Sequence, residues 1–203
     1  GKSSYTTVFD PKPFELTGKI ARWVPLTFEH TQGVLEAGDD DAIWAFLGNN
    51  RPNTLFEAEQ WIANRLKDQA SGSRLVCAVM SMSDGRFAGS SGYSHINRQH
   101  RTLDIATWYG TKYQRTGMNT ECKYLLLKYA FEVLGAHRVG LTVDIQNMKS
   151  RKAVERLGAI QEGIIRKERI RKDGSHRDTV LFGFVDDDWP EVKTHLEGLM
   201  TKY

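Results

Sequence analysis

The chain has 203 residues, with 28 Lys and Arg against 25 Asp and Glu, a formal net charge of +3. Hydrophobic residues make up 40% and charged residues 26%, the profile of a soluble globular domain, which excludes a disordered chain, a collagen-like repeat and a disulfide scaffold. The near balance of charge also argues against a dedicated nucleic-acid binder, whose footprint is a strongly basic domain.

The N-terminus lacks the apolar core of a secretory signal. The longest apolar run, Leu125-Leu126-Leu127, is broken by Lys128, well short of the ~18 residues of a membrane helix. A cytoplasmic protein with no membrane partner is the expectation. Cys77 and Cys122 lie in separate apolar segments without C-x-x-C spacing and read as buried free thiols. His95 and His100 stand five apart across a turn, and no histidine spacing suggests a metal.

In chain order, residues 1–17 are polar, contain Pro11 and Pro13, and read as an N-terminal arm. Residues 18–203 read as one domain, since no linker or repeat divides them. A strand is expected from Lys19 to Leu26, closed by Pro25. Thr27 followed by His30 opens a helical stretch with a weak cap, and Thr54 with Glu57 forms a capping box for a helix running to about Lys67. Leu75 to Met80 and Phe87 to Tyr93 flank Ser83-Asp84-Gly85 as a hairpin. Leu103 to Tyr109 alternates as a strand.

The second half is sharper. Met118, Cys122, Leu125, Leu126, Tyr129 and Val133 form one helical face that Gly135 ends. Val139, Leu141, Val143 and Ile145 alternate as a strand. Asn147 is a candidate N-cap for a short helix through Val154 and Leu157, stopped by Gly158. Ile160 to Arg171 and Thr179 to Val185 flank Lys172-Asp173-Gly174 as a second hairpin, and Trp189-Pro190 starts a terminal helix.

Between the Trp108 strand and the long helix lies Gln114-Arg115-Thr116-Gly117-Met118-Asn119. A turn from strand into helix N-terminus presents unpaired N–H groups and the positive end of the helix dipole, which suits a phosphate or pyrophosphate. Gln114-x-x-Gly117-x-Asn119 resembles the (Arg/Gln)-x-x-Gly-x-(Gly/Ala) coenzyme A loop of the GCN5-related N-acetyltransferase family. Asn119 departs from that pattern. Leu103 to Tyr109 resembles that family's fourth strand. Val143 to Ala153, with Asn147-x-x-Ser150-x-Lys152-Ala153, resembles its fifth strand and following helix. Leu157-Gly158-Ala159 with Glu162-Gly163, then Arg177-Asp178-Thr179-Val180 and Asp188-Trp189-Pro190, are similar to the RimJ/RimL-like branch. The resemblance spans about residues 18–200.

It implies an α+β fold: a mixed, mostly antiparallel central sheet with splayed fourth and fifth strands, flanked by helices. It implies acetyl-CoA as co-substrate, no metal, and an amine acceptor, either a small molecule or a protein N-terminus; it leaves a homodimer open. By resemblance, backbone groups of Trp108 and Tyr109 bond the pantetheine and the thioester carbonyl. Gln114, Arg115, Thr116, Gly117, Met118 and Asn119 hold the pyrophosphate, while Asn147 and Lys152, with Arg151, lie near the coenzyme. Asp104 is the first candidate for taking the amine's proton, directly or through water, with Glu162 and Asp144 as weaker alternatives. Ser150 matches the hydroxyl that serves the leaving thiolate, and is equally comfortable as a first-turn helix residue.

The run Arg166 to Lys172, with His176 and Arg177, is the one dense basic cluster. It reads first as a solvated hairpin face, then as a site for acidic substrate groups. Two readings compete with acetyl transfer: a catalytically silent acyl-CoA-binding module, and a basic interaction module on the last hairpin.

Overall fold

Period-2 patterning gathers eight strands into one sheet: β1 (Leu16–Thr17), β2 (Ala21–Pro25), β3 (Leu75–Ser81), β4 (Phe87–Asn97), β5 (Thr102–Tyr109), β6 (Arg138–Asp144), β7 (Ile160–Ile170) and β8 (His176–Val185). Their spatial order is β1-β2-β3-β4-β5-β6-β8-β7, in a computed structural model that describes residues 8–203. Every pairing is antiparallel except β5 with β6, which is parallel and short. The expected mixed, mostly antiparallel α+β architecture is present.

Among the described residues, six α-helices flank the sheet: α1 (Thr31–Ala37), α2 (Asp41–Trp44), α3 (Leu55–Ala70), α4 (Met118–Lys128), α5 (Met148–Arg156) and α6 (Trp189–Met200). Alternation divides them between two cores. Leu103, Ile105, Val139, Leu141, Val143, Val180 and Phe182 face α4, α5 and α6. Trp108, Val76 and Ala78 face the other way, against Trp44 of α2 and Trp61 and Ile62 of α3. Each fully buried large aliphatic or aromatic side chain contributes about 1.5–3 kcal/mol.

Local signals explain the helix starts. Thr54 Oγ1 accepts from the Glu57 amide. Thr27 proves a stronger cap than its sequence suggests: the Thr27 amide donates to His30 Nδ1 at 3.0 Å, completing a capping box with an imidazole in place of a carboxylate. The arm also differs from a tail. Residues 1–7 lie outside the described residues, but Phe9 and Phe14 are buried, Phe14 stacks on Tyr129 at 4.7 Å, and β1 pairs with β2. Two aromatics among prolines carry too little periodicity to announce this.

The long helix keeps its face only through Tyr129. It continues as a π-helical segment over Tyr129–Leu134 before Gly135 ends it at φ +77°. The wider turn rotates the following residues by about one position, so Ala130 and Leu134 are buried while Val133, expected on the core face, is exposed.

Candidate active site

β5 and β6 pair only over Thr102–Asp104 and Arg138–Gly140. Beyond the Asp104 and Gly140 level they part, which is the splay expected of the fourth and fifth strands. Ladder alternation fixes which backbone groups line the gap. Gly110 N–H donates to Ala88 O, so in the β4–β5 register the even-numbered residues of β5 turn toward β4. Trp108 therefore spends its backbone groups on β4. Of the expected pair only Tyr109 faces the gap, and Thr107 takes the other place. By the same reasoning Ile145 N–H to Asp178 O directs Thr142 and Asp144 of β6 into the gap from the far side. Parity of the strand would have found Thr107 from sequence, had the β4 register been known.

The gap ends at the α4 N-terminus. Gly117 sits there at φ +85°, a conformation that costs an L-residue about 1–2 kcal/mol. Met118 turns its side chain into the core, leaving its backbone at the helix start. Asn119, the departure from the family pattern, turns inward too: its Oδ1 accepts from Lys123 Nζ at 2.8 Å. Lys123 is buried, donates also to Thr107 Oγ1 at 3.2 Å, and has its pKa pulled down by burial. No reading of the coenzyme loop alone pointed to Lys123, although it lies four residues on from Asn119.

Gln114 ties the loop to both walls of the gap. Its Nε2 donates to Tyr109 O at 3.1 Å, and its Oε1 accepts from Lys149 Nζ of α5 at 2.6 Å. Thr116 Oγ1 donates to Tyr113 O, and the Tyr113 hydroxyl donates to Asp84 Oδ2 at 2.7 Å, pinning the loop to the β3–β4 turn. Arg115 is exposed at φ +60°, and Lys152 is exposed on α5. Arg151 instead folds back to Ile145 O and Met148 Sδ. Free helix N–H groups, a glycine at positive φ and an open strand-width gap fit a pyrophosphate and its pantetheine arm.

Replacing Gly117 with Ala should raise the KM for acetyl-CoA about tenfold, the equivalent of the backbone strain, with a smaller effect on kcat. The new Cβ would also lie 2.6 Å from the Tyr203 ring. Steady-state kinetics with acetyl-CoA varied would show it; an unchanged KM would mean the loop does not hold the coenzyme.

Asn147 Oδ1 accepts from the Ser150 amide at 3.2 Å, so Asn147 is the N-cap of α5. Ser150 is half-buried, and no group among the described residues bonds its hydroxyl. Asp104 lies at the closed end of the gap, at the Gly140 level, while Ser150 follows the open end past Asp144. Four residues of strand, about 13 Å, separate those levels. The two candidates are not brought into contact.

Burial raises the Asp104 pKa above its ordinary value, against the lowering effect of His95 and Arg138. His95 Nδ1 is 3.4 Å from Asp104 Oδ2, and His95 itself is at φ +49° and largely exposed. Read from sequence only as a non-ligand, it connects the carboxylate to solvent. The alternatives are otherwise engaged. Asp144 is held ionised by an Arg171 fork at 2.7 and 2.8 Å, which lowers its pKa, and Glu162 pairs with Arg138.

The basic hairpin is not the uniformly solvated face expected. Arg171 is committed to Asp144, Arg169 to Glu168, and Arg177 is buried. Lys172 Nζ donates to Trp44 O and Asn49 O at 2.6 and 2.9 Å, tying the hairpin tip to the α2 segment. That bridge roofs the Trp108 face of the gap, where Ala106 and Thr142 are exposed.

Residues 23–160 match the Acetyltransferase (GNAT) domain family. A Bacillus subtilis protein with the provisional name ribosomal N-acetyltransferase YdaF is 29% identical over 150 residues, covering 74% of this chain and 80% of that protein. The Escherichia coli (strain K12) spermidine N(1)-acetyltransferase is 32% identical over 85 residues, 42% of this chain and 46% of that protein. The crystal structure of a GCN5-related N-acetyltransferase from Brucella melitensis superposes with a TM-score of 0.88 at 28% identity, covering 94% of this chain and 87% of that one. Splayed strands, glycine-opened helix and matched sequence agree: the chain belongs to the GNAT family of N-acetyltransferases.

Proposed function

We propose that the enzyme transfers the acetyl group of acetyl-CoA to a primary amine, a small molecule or a protein N-terminus, by direct attack on the thioester with no acyl-enzyme. The single observation carrying this reading is the gap itself. It presents the inward backbone groups of Thr107 and Thr142 and the N–H of Tyr109 along its length and a helix N-terminus opened by Gly117 at its mouth.

Bound acetyl-CoA supplies the activated thioester; the chain's own groups do the rest. The inward N–H groups of Thr107 and Tyr109 align the pantetheine arm as an added strand and donate toward the carbonyl oxygen, where negative charge develops. The Gly117–Asn119 amides and Arg115 hold the pyrophosphate, and Asn147 and Lys152 flank it. An ammonium has no lone pair, so Asp104 takes the amine's proton. The strand distance requires intervening water, and His95 passes the proton on to solvent. Ser150 Oγ–H donates to the departing sulfur.

Thermal-shift titration with acetyl-CoA, then thiol release across amines and peptides, tests the reading. Stabilisation with acceptor-dependent thiol release is expected. No stabilisation at millimolar acetyl-CoA sinks it, and stabilisation without turnover on any acceptor favours the silent coenzyme-binding module instead.

A further inference from the structure

Pairing off the charges on the roofed side of the gap leaves one cation over. The acids there are Asp104, Asp144 and Glu168; the bases are His95, Arg169, Arg171 and Arg177. Arg171 takes both oxygens of Asp144, Arg169 takes both oxygens of Glu168, and His95 faces Asp104. Arg177 has no carboxylate at ion-pair distance among the described residues.

Its position makes that notable. Arg177 is 8% exposed, and among the described residues its only hydrogen bond runs from Nε to Thr179 Oγ1 at 3.0 Å. The two terminal NH2 groups have no partner, yet they are not sealed off from solvent, unlike the Nε atoms of Arg51 and Arg151. Most of the side chain is covered, and the ends of the guanidinium keep some access to solvent. Burial, with the like charge of Arg169, lowers its pKa, although Asp144 and Glu168 act on it from beyond hydrogen-bond distance. Those carboxylates are taken up by Arg171 and Arg169, and a guanidinium fork left unbonded matches a carboxylate in two parallel hydrogen bonds.

Register says what such a carboxylate could belong to. Thr179 lies opposite Asp144, so the Nε bond draws the Arg177 fork back to the Asp144 level, on the same face as Thr142. Thr142 and Ala106 are the exposed residues at mid-gap, one pleat repeat away, about 7 Å along the strand. In an amino acid the nitrogen and the carboxylate oxygens are about 3 Å apart, and a hydrogen bond adds about 3 Å more. An amine at mid-gap thus places a nearby carboxylate on Arg177.

We propose that Arg177 binds the carboxylate of the acceptor, and that the acceptor is a compact aminocarboxylate, an amine whose carboxylate lies a few bonds from the nitrogen. The proposal rests on the acetyltransferase reading of the gap. It sets this chain apart from a polyamine acceptor, whose second cation would face a guanidinium of like charge. Uncharged amines would leave Arg177 as it stands, unpaired.

The test uses matched pairs: α-alanine, β-alanine and γ-aminobutyrate against their carboxamides, with spermidine as a third class. Thiol release is measured with acetyl-CoA, and thermal shift with CoA, in wild type, Arg177→Gln and Arg177→Lys. At least one acid should exceed its amide by about ten- to a hundredfold in kcat/KM, in line with charge-assisted hydrogen bonds. Arg177→Gln should erase that preference with amide rates changed less than about threefold. Arg177→Lys keeps the charge without the fork, which guards against simple misfolding, and should retain part of the preference.

Equal rates for acid and amide, a preference for spermidine, or an equal loss on both substrates in Arg177→Gln would overturn the proposal. Should no acceptor turn over, binding decides: acids that shift the wild type but not Arg177→Gln support it, and acids that shift neither overturn it. Failure of acetyl-CoA itself to stabilise the protein is a separate result, which sinks the reading of the gap.

Discussion

Asp104→Asn should lower kcat by about two to three orders of magnitude, the range of a lost general base, while the KM for acetyl-CoA stays within about twofold. The split follows from position. Asp104 closes the far end of the gap, five strand residues before Tyr109, and none of the hydrogen bonds that hold Gln114 and Thr116 involves it. The pH profile gives a second signature. Burial raises the Asp104 pKa, and the base must be ionised to work, so the acid limb of kcat/KM should fall above the ordinary carboxylate range. That limb should vanish in the variant.

Stability should move the other way. A carboxyl whose folded pKa exceeds its unfolded value contributes stability present below the unfolded pKa and lost as pH rises through the folded one. At neutral pH the ionised Asp104 is therefore a net cost to the fold, and Asn in its place should raise Tm. A variant that is slower yet more stable marks a group held for chemistry. Unchanged rate and acid limb would make Asp104 a strand-end carboxylate and move the base elsewhere.

How much of this was readable in the residues depends on how local each signal is. Alternation in Leu103 to Tyr109 and Val139 to Ile145, and the Thr54 cap, whose expected box is only half formed because Glu57 accepts from the Asn53 amide instead, placed strands and helices within a few positions of the observed bounds. The turn into α4 was legible because a glycine at positive φ leaves a local mark. Features set by partners far along the chain were not legible. Which Trp108 and Tyr109 backbone groups face the gap depends on the β4 register. The isolation of Arg177 depends on Arg171 reaching Asp144, 27 residues away. In sequence Arg177 belongs to a matched motif and to a basic run, neither of which shows that its fork is unbonded; only the competing pairs do. The π-helical turn that expels Val133 likewise has no signature in a 3.6-residue pattern. There Tyr93 Oη, 33 residues upstream, donates to Leu126 O at 2.6 Å.

Glu121 is the extreme case of such distant dependence, and its removal should have the largest effect on stability. In the sequence it is an ordinary acidic residue in a helix's first turn, favoured there by the helix dipole. In the fold it is 2% exposed and reaches back about 100 residues. Its carboxylate accepts from the amides of Lys19 at 2.9 Å, Ile20 at 3.0 Å and Ala21 at 3.1 Å, three consecutive donors at the start of β2. A Cβ on Gly18 would lie 2.1 Å from Oε1, so the approach also requires that glycine. Glu121→Ala strands these N–H groups, part-buried at Lys19 and Ile20 and buried at Ala21, and should cost about 3–5 kcal/mol. For a chain of this size that lowers Tm by roughly 8–15 °C. Glu121→Gln should recover little of it, because the amide points an NH2 donor at other donors. Thermal or urea unfolding of both variants measures the effect. Below its lowered Tm, the Glu121→Gln protein should keep its acetyl-CoA-dependent thermal shift, since the α4 amides at Gly117 are not among the groups Glu121 bonds. A Tm within about 2 °C of wild type would show that water satisfies the Lys19–Ala21 amides, and that the carboxylate is not the clamp between β2 and α4.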